Sequence, residues 1–317
     1  MRCHLLLLTL IILTLQACRT ADSNYGSSGL RIEQDERSGT ISIYHTDGSS
    51  PILVQKADSG FRPYLHPIVA PDGKGILTEY SPGHHKHQTG LYWGFTRVNG
   101  RDYFHHPESD YWKRISAKII PVDSTLKMVK WQTVYDLLDS TGSAVLRETQ
   151  NWTMKEDSGR YLIALEWNGE AKTDVTIGKY DYGGLFLRMP WKEGIKGEVV
   201  NAARQHNEKA EGQRAMWVDV GMQVEGRDDL AHIAIFDHPD NKGYPQMWRV
   251  DGQLGIGPAR SRAGDWQIKQ GETETIRHQL VVYTGELNDV ELTETWSAFT
   301  GQDYNAYKLW EIGRAHV

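Results

Sequence analysis

The fold is decided by residues 127–167, which read KMVKWQTVYDLLDSTGSAVLRETQNWTMKEDSGRYLIALEW. Apolar and polar residues alternate over 127–135, 145–153 and 161–167, which is the period of a strand with one buried face. Turn-forming residues separate these runs at 140–142 and 157–159. The stretch therefore predicts three consecutive antiparallel strands, and the dipeptide Asn168-Gly169 predicts a further hairpin turn.

The rest of the chain continues the same pattern. Further strands are predicted at residues 39–44, 175–177, 184–188, 215–220, 232–236 and 278–283. The best candidate for a helix is 289–299. Many strands separated by turns are typical of a β-sandwich or barrel. We predict an all-β fold, a large antiparallel β-sandwich formed by one domain over residues 30–308.

Composition limits the classes of function. The chain has 317 residues, with 35 Lys and Arg against 41 Asp and Glu, so its formal net charge is −6. This balance argues against a nucleic-acid-binding protein, which would carry a basic patch. A single apolar stretch, about ten residues long, excludes a polytopic membrane protein. The 11 Trp and 15 Tyr, against 6 Phe, provide amphipathic aromatic side chains for gripping a polar ligand.

The beginning of the chain predicts export. Residues 5–15 form an apolar run behind Arg2, with the length of a signal-peptide core. The run ends in LQAC at 15–18, which looks like a bacterial lipobox, although an ordinary signal peptide with a chance cysteine is the alternative. We expect a signal peptide at 1–17, lipidation at Cys18 and a tether at 18–29. The protein would then be anchored to a bacterial membrane, in the periplasm or at the cell surface.

The end of the chain differs from the rest. Its last seven residues, 311–317, read EIGRAHV and resemble the translation of a common sequencing adapter. We therefore predict a non-native tail at 309–317 and give it no functional weight.

Histidines cluster in one window of about forty residues. They are His66, His84, His85, His87, His105 and His106. If residues 85–93 form a strand, His85 and His87 share one face of it. Because imidazole titrates near neutral pH, this pair predicts a general acid or base. The alternative is a divalent metal held by the pair and a third ligand such as Glu79, but no cofactor is predicted. We interpret His84, His105 and His106 as structural or exposed.

Two further segments carry candidate residues. Asp237 and His238 follow a predicted strand, where a rigid element gives way to a loop, and Asn241 lies in that loop. These residues indicate either a catalytic site or a turn without catalytic function. Tyr182 and Arg188 flank a Gly-Gly pair that allows close approach of a ligand. Arg188 is expected either to clamp an anion or to form an internal salt bridge.

Four segments of the chain resemble the PmoA-like family of uncharacterised bacterial proteins. They read RPYLHP at 62–67, GHHKHQTGLYWG at 83–94, YGGLFLRMP at 182–190 and FDHPDN at 236–241. The resemblance covers residues 55–300. The family often has H-x-H-H-R-G, where this chain has Gln88 and Thr89. Its label comes from a subunit of the membrane-bound methane oxygenase, whose several spans have no counterpart here, so we expect that label to be a misnomer.

The favoured function is a carbohydrate-active enzyme outside the cytoplasm, acting as a lyase, epimerase or hydrolase. A large β-sandwich resembles the galactose-mutarotase-like supersandwich, which sugar epimerases, lyases and hydrolase domains share, but a fold does not fix a reaction. The predicted catalytic residues are His85, His87, Asp237 and His238. The predicted substrate-binding residues are Arg62, Tyr64, His66, Trp93, Tyr182, Arg188 and Asn241.

Two functions from other classes stay open. One is a non-catalytic glycan-binding lipoprotein, which would need the aromatic side chains but no clustered titratable groups. The other is a metal-dependent oxygenase, which would hold a metal with His85, His87 and a carboxylate. The expected partners are a carbohydrate or other small polar substrate, and the membrane only through Cys18. No nucleic-acid partner is expected.

Overall fold

The computed structural model describes residues 29–83 and 85–303, and β-strands dominate them. In chain order the strands are β1 (Leu30–Gln34), β2 (Ile41–His45), β3 (Leu53–Lys56), β4 (Tyr64–Ile68), β5 (Leu91–Gly94), β6 (Trp112–Ile120), β7 (Val129–Leu138), β8 (Ala144–Asp157), β9 (Arg160–Ala171), β10 (Val175–Ile177), β11 (Gly184–Leu187), β12 (Gly197–Asn201), β13 (Trp217–Met222), β14 (Ala231–Asp237), β15 (Trp248–Val250), β16 (Ile256–Pro258), β17 (Trp266–Ile268) and β18 (Thr273–Thr284). One α-helix, α1 (Asp289–Thr300), and three short 3-10 turns (Ser124–Leu126, Asn207–Lys209 and Arg260–Arg262) complete these two ranges.

The strands form two large antiparallel sheets. The first sheet has the order β1-β2-β3-β4-β5-β11-β16-β15, and the second has the order β12-β13-β14-β18-β9-β8-β7-β6. The pair β10 and β17 lies outside both sheets. The predicted all-β class and antiparallel β-sandwich are confirmed.

One apolar core lies between the two sheets. Trp93 of β5 stacks on Trp167 of β9 with ring centroids 4.8 Å apart, and both indoles are buried. Trp131 of β7 donates its indole N–H to Gln55 of β3 across 3.1 Å. Burial of each large apolar side chain contributes about 1.5–3 kcal/mol. The alternation read from the sequence therefore accounts for the packing of one sheet on the other.

The predicted hairpin at Asn168-Gly169 is wrong, because both residues lie inside β9 and pair with β8 and β18. Gly169 has a packing role instead. A Cβ atom at this position would lie 2.1 Å from Cη2 of Trp167. The glycine thus provides the space that the buried indole occupies, and the chain turns later, after Ala171.

The predicted strand at 85–93 is also too long. Only residues 91–94 form β5, whereas His85 and Gln88 lie in a turn, with the N–H of Gln88 donating to the carbonyl of His85. Gly90 separates the turn from the strand with a φ of 77°, and a Cβ there would lie 2.5 Å from the carbonyl oxygen of Leu65. The two candidate histidines are consequently loop residues.

Helix α1 agrees with the predicted span of 289–299. Asn288 caps its first turn by accepting the N–H of Glu291, and Gly301 ends it in the left-handed conformation. The indole N–H of Trp296 donates to the carbonyl of Asp237, which fixes the helix to the second sheet. No helix in the described ranges is long and apolar enough to cross a membrane.

The predictions for the ends of the chain concern other residues. The signal peptide at 1–17, the lipidation site Cys18, the tether up to residue 28 and the tail at 309–317 lie outside the described residues, as does His84.

Candidate functional site

The outer face of the first sheet carries a row of aromatic side chains. Tyr64 of β4 pairs with Tyr92 of β5, and Tyr92 pairs with Phe186 of β11. Gly257 of β16 lies beside Phe186, since a Cβ there would be 3.2 Å from the Cδ2 atom of that ring. Arg249 of β15 pairs with Gly257 and ends the row. The missing side chain at Gly257 leaves room for Phe186 on this face.

Loops above this row enclose a small cavity, which we call the histidine cavity. The hairpin of residues 80–89 is closed by a β-bridge between Tyr80 and Thr89, and it forms one wall. The loops 95–111 and 178–183 form two others. The cavity measures about 100 Å³ and is lined by His85, His87, Gln88, Phe104, His105, Tyr182, Phe186, Arg249 and Asp251.

A chain of hydrogen bonds ends in this cavity. Nδ1 of His105 lies 2.7 Å from Oδ2 of Asp102, and Nε2 of His105 lies 3.2 Å from the hydroxyl oxygen of Tyr182. Oδ1 of Asp102 also accepts the backbone N–H groups of Phe104 and His105. A carboxylate only accepts, so His105 carries its proton on Nδ1 and its Nε2 accepts the hydroxyl proton of Tyr182. We refer to Asp102, His105 and Tyr182 as the proton relay.

The surroundings of the relay set its protonation at neutral pH. Burial raises the pKa of Asp102, but the hydrogen bonds from His105 outweigh this effect and lower the pKa overall. Burial, together with Tyr180, raises the pKa of Tyr182, so its hydroxyl group stays protonated. An ionised carboxylate therefore lies at one end of the relay and a neutral phenol at the cavity end.

Sequence reasoning missed most of this relay. We interpreted His105 as structural or exposed and gave Asp102 no role, whereas Tyr182 was predicted as a substrate-binding residue. The available signal was the spacing of Asp102 and His105, three residues apart in a loop. That spacing does not reveal the partner from a distant loop, because Tyr182 lies 77 residues further along the chain.

His85 and His87 both line the cavity, beside the relay. The ring centroid of His87 is 4.5 Å from that of His105 and 5.7 Å from that of His85. Burial lowers the pKa of His87 to about 3, and the nearby charge of Arg62 acts in the same direction. His87 is therefore a neutral imidazole at physiological pH, able to donate through one nitrogen and accept through the other.

Arg62 holds two walls of the cavity from beneath. Its side chain is fully buried, with the guanidinium carbon 3.8 Å from the ring centroid of Tyr92. It donates to the carbonyls of Phe104 and His87 at 2.6 Å each, and to Oγ1 of Thr89 at 3.2 Å. Burial lowers the pKa of Arg62 to about 10, which keeps it charged at neutral pH. The prediction that Arg62 binds substrate is wrong, because all these contacts are internal.

Arg188 has a comparable internal role. It is fully buried and donates to Asp251 at 2.5 Å and to Oε1 of Gln88 at 2.5 Å. Of the two predicted alternatives, the internal salt bridge is the observed one. The pair orients Gln88 and Asp251, both of which line the cavity. Arg249 is the cation at the cavity itself, 5.7 Å from the ring centroid of Tyr182, with one nitrogen donating to Glu211.

Three other predicted substrate contacts do not line the cavity. Trp93 is wrong as a stacking wall, because it points into the core and stacks on Trp167. Tyr64 and His66 lie further along the outer face, around the exposed ring of Tyr80. These two residues form a separate surface that the cavity does not include.

Asp237, His238 and Asn241 lie at the end of β14 in the second sheet and do not reach the histidine cavity. The carboxylate of Asp237 accepts from the side-chain amide of Asn241 at 2.7 Å and from the backbone N–H of Gln246 at 2.8 Å. Burial raises the pKa of Asp237 to about 7. The catalytic role predicted for Asp237 and His238 stays a prediction; in the structure this carboxylate is enclosed and organises the loop that follows its strand.

A metal site is not evident in the described part of the chain. Among residues 29–83 and 85–303, no group of three or more His, Cys, Asp or Glu side chains is arranged to hold a metal ion. The alternative set of His85, His87 and Glu79 therefore does not form a metal-binding group in this structure.

A wider groove of about 360 Å³ lies on the outer face of the second sheet. Its lining includes Glu166 and Arg277, which form an ion pair with nitrogen and oxygen 3.0 Å apart. Phe299 of α1 borders it. The groove lacks the histidines and the buried hydrogen-bond chain of the histidine cavity, so the smaller cavity is the better candidate for chemistry.

A family model described as "Family of unknown function (DUF6807)" matches residues 39–297. The chain belongs to this family. The matched range contains every residue of the relay and of the cavity lining. The resemblance to the PmoA-like family stays a prediction. No curated protein matches the sequence.

Among the solved structures that this chain is similar to are an α-galactosidase, a galactose mutarotase related enzyme and a polysaccharide lyase. The GH36 α-galactosidase AgaB from Geobacillus stearothermophilus has 9% identity and a TM-score of 0.41, with 81% of this chain and 41% of that chain covered. A galactose mutarotase related enzyme from Lactobacillus acidophilus has 7% identity and a TM-score of 0.36, with 80% and 97% covered. A polysaccharide lyase has 11% identity and a TM-score of 0.36, with 84% and 34% covered. The chain thus spans about two-fifths of the α-galactosidase.

Proposed function

We propose that the protein is a carbohydrate-active enzyme that transfers protons in the histidine cavity. The observation that carries this proposal is the relay. Tyr182 presents a hydroxyl group to the cavity, and Nε2 of His105 is positioned to accept the proton of that group. Asp102 stabilises the imidazolium ion that results. A purely structural hydrogen-bond chain has no need to end at a cavity.

The proton balance of the step is simple. A substrate C–H or O–H group gives its proton to the Tyr182 oxygen, while the hydroxyl proton of Tyr182 moves to Nε2 of His105. The substrate is left with a negative charge, and Arg249, at the same cavity, is the cation placed to offset it. When Tyr182 returns the proton to the substrate, Nε2 of His105 gives its proton back to the Tyr182 oxygen, and the neutral imidazole of His87 can hold a substrate hydroxyl group in place.

This arrangement favours an epimerase or lyase over a glycoside hydrolase. Glycoside hydrolysis generally uses two carboxyl groups on either side of the scissile bond. Among the described lining residues, Asp251 is the only carboxylate, and the buried Arg188 holds it in an ion pair. Asp102 lies behind His105 and does not line the cavity. Removal of a proton next to a carbonyl or carboxylate group of the sugar is the reaction that fits these side chains.

The walls of the cavity suit one sugar unit. Phe104 and Phe186 present apolar ring surface for the C–H groups of a sugar, and the histidines provide donors and acceptors for its hydroxyl groups. Since Oε1 of Gln88 accepts from Arg188, the NH₂ group of this amide is the part left to donate. Few polar groups among apolar walls are typical of a small-molecule site.

The test is deuterium exchange in D₂O with a panel of reducing hexoses, hexuronates and their methyl glycosides, read by NMR and mass spectrometry. We expect the wild type to place deuterium at one carbon of at least one sugar. Tyr182→Phe and His105→Gln should slow exchange by about 10²–10⁴-fold, the usual contribution of a positioned acid or base. His206→Gln is the matched control, because His206 also contacts a carboxylate, that of Glu198, but is exposed and does not line the cavity.

Two results would contradict the proposal. One is exchange that persists at the wild-type rate in both relay variants. The other is the absence of exchange and of elimination products with every sugar of the panel.

We also propose that the protein is exported and anchored through a lipid on Cys18, in the periplasm or at the cell surface. The support is the apolar run at 5–15 followed by the sequence LQAC. The test is incorporation of radiolabelled palmitate by bacteria that express the full chain. Label should appear in the wild type and disappear in Cys18→Ala, and label in both would refute lipidation at this cysteine.

A further inference from the structure

An exposed aromatic surface lies beside the histidine cavity on the same face of the first sheet. Tyr80 is 46% exposed, which is high for a large aromatic side chain. Its ring stacks on that of Tyr64, with centroids 5.4 Å apart and an angle of 28° between the planes. His66 is a further neighbour, with its ring centroid 6.1 Å from that of Tyr80. We call Tyr80, Tyr64 and His66 the tyrosine shelf.

The shelf is built on the same elements as the cavity. Tyr80 bridges to Thr89, and the next residue, Ser81, donates its N–H to the carbonyl of Gln88, which lines the cavity. Tyr64 pairs across the sheet with Tyr92, and the Tyr92 ring lies 5.2 Å from Phe104, another lining residue. The two surfaces are therefore adjacent, and the hairpin that begins at Tyr80 contributes to both.

His66 adds a hydrogen-bonding ring nitrogen to this aromatic surface. Its Nδ1 lies 3.0 Å from Oγ1 of Thr78, and that oxygen already accepts the backbone N–H of Ile68. Nδ1 is thus engaged within the protein, and Nε2 is the nitrogen left to form a hydrogen bond with a ligand. An exposed aromatic face next to a hydrogen-bonding nitrogen matches a sugar ring, which has an apolar face of C–H groups and a rim of hydroxyl groups.

We propose that the tyrosine shelf is a second subsite, which holds the neighbouring sugar unit of a saccharide chain whose terminal unit occupies the histidine cavity. This inference rests on the proposed function for the cavity and narrows its substrate class to oligosaccharides or polysaccharides. The second unit lies on the face of Tyr80, and Nε2 of His66 forms a hydrogen bond with one of its hydroxyl groups. Tyr64 supports Tyr80 from below.

The test compares a methyl monosaccharide and the trisaccharide of the same sugar, for each sugar of the panel. Affinities are measured by calorimetry in the Tyr182→Phe background, and exchange or elimination is measured in the otherwise wild-type enzyme. Tyr80→Ala should weaken trisaccharide binding roughly tenfold, the range of one aromatic contact, and leave monosaccharide binding unchanged. Tyr80→Phe keeps the ring and should restore trisaccharide binding.

Tyr44→Ala is the control. Tyr44 lies in β2 on the outer face of the same sheet, beneath the guanidinium of Arg31 at 4.2 Å, and away from the cavity. This substitution should leave the affinity for both sugars unchanged.

The outcomes separate the shelf from the cavity. Equal affinity of the Tyr80→Ala and Tyr80→Phe variants for every trisaccharide overturns the shelf, even where exchange in the cavity is observed. Weaker trisaccharide binding by Tyr80→Ala, without exchange of any sugar, supports the shelf and overturns the catalytic proposal. Absence of binding by every trisaccharide overturns the shelf, and dimerisation lost in Tyr80→Ala assigns the surface to a second copy of the chain instead.

Discussion

Gly169→Ala tests the packing that joins the two sheets. The added Cβ would lie 2.1, 2.8 and 2.9 Å from three ring atoms of Trp167, so the indole has to move. It cannot move freely, because it stacks on Trp93 and donates its N–H to the buried carboxylate of Glu148 at 2.8 Å. Overpacking costs about 1–3 kcal/mol, and leaving a buried hydrogen-bonding group unsatisfied costs about 1–3 kcal/mol. We expect the free energy of unfolding to fall by about 3–5 kcal/mol.

Urea unfolding followed by tryptophan fluorescence measures this change, and the melting temperature should fall by roughly 10 °C. Gly252→Ala is the matched control, because a Cβ at Gly252 would meet nothing within 4 Å and its φ is not positive. This control should stay within about 0.5 kcal/mol of the wild type. A Gly169→Ala variant as stable as the Gly252→Ala variant would refute the claim that the missing side chain accommodates the indole.

Three further substitutions test buried charges. Burial raises the pKa of Glu148 to about 7, above its value in the unfolded chain, so this group lowers the free energy of unfolding as the pH rises from about 4 to 7. In urea unfolding, the free energy of unfolding of Glu148→Gln should therefore decline less over that pH range. The same decline in the variant and the wild type would contradict this assignment. Asp219→Asn should lower the free energy of unfolding, measured with urea at pH 6, by about 3 kcal/mol, because the buried His232 loses the carboxylate 2.8 Å away. A loss below about 1 kcal/mol would show that the ion pair contributes little to stability. Arg62→Met should lower the free energy of unfolding by about 3 kcal/mol, because it leaves two carbonyl groups unsatisfied. It should also speed amide hydrogen exchange in residues 80–89. Unchanged exchange there would show that other contacts hold the hairpin.

Much of the fold could be predicted from the sequence, because alternation of apolar and polar residues directly reports a strand with one buried face. The strand at Val175–Ile177 was predicted at its exact bounds, and helix α1 to within one residue. The hairpin at 168–169 was wrong because Asn-Gly is common in turns, whereas here the glycine serves a neighbouring side chain. The turn preference of a dipeptide cannot show that a neighbouring indole needs the space of the missing side chain.

The candidate site was predictable only in part. The histidine cluster pointed to the right loops, and His85, His87 and Tyr182 do line one cavity. The roles of the arginines were harder to predict. Arginine commonly binds anions, but Arg62 and Arg188 are both buried and donate to acceptors within the protein. In β5 all four residues are buried, so alternation cannot tell which of them faces the core. The relay itself depends on contact between loops that are distant in sequence.

The way Arg62 binds its neighbours has a consequence for how this site can vary. It contacts main-chain oxygens of residues 87 and 104, and those oxygens are present whatever side chains the two residues carry. Arg62 can therefore hold the backbone at residues 87 and 104 in the same position even when their imidazole and phenyl side chains are replaced by others. A family built on this frame can change the substrate it accepts by substitutions at the cavity surface, without a new solution to the folding of its loops.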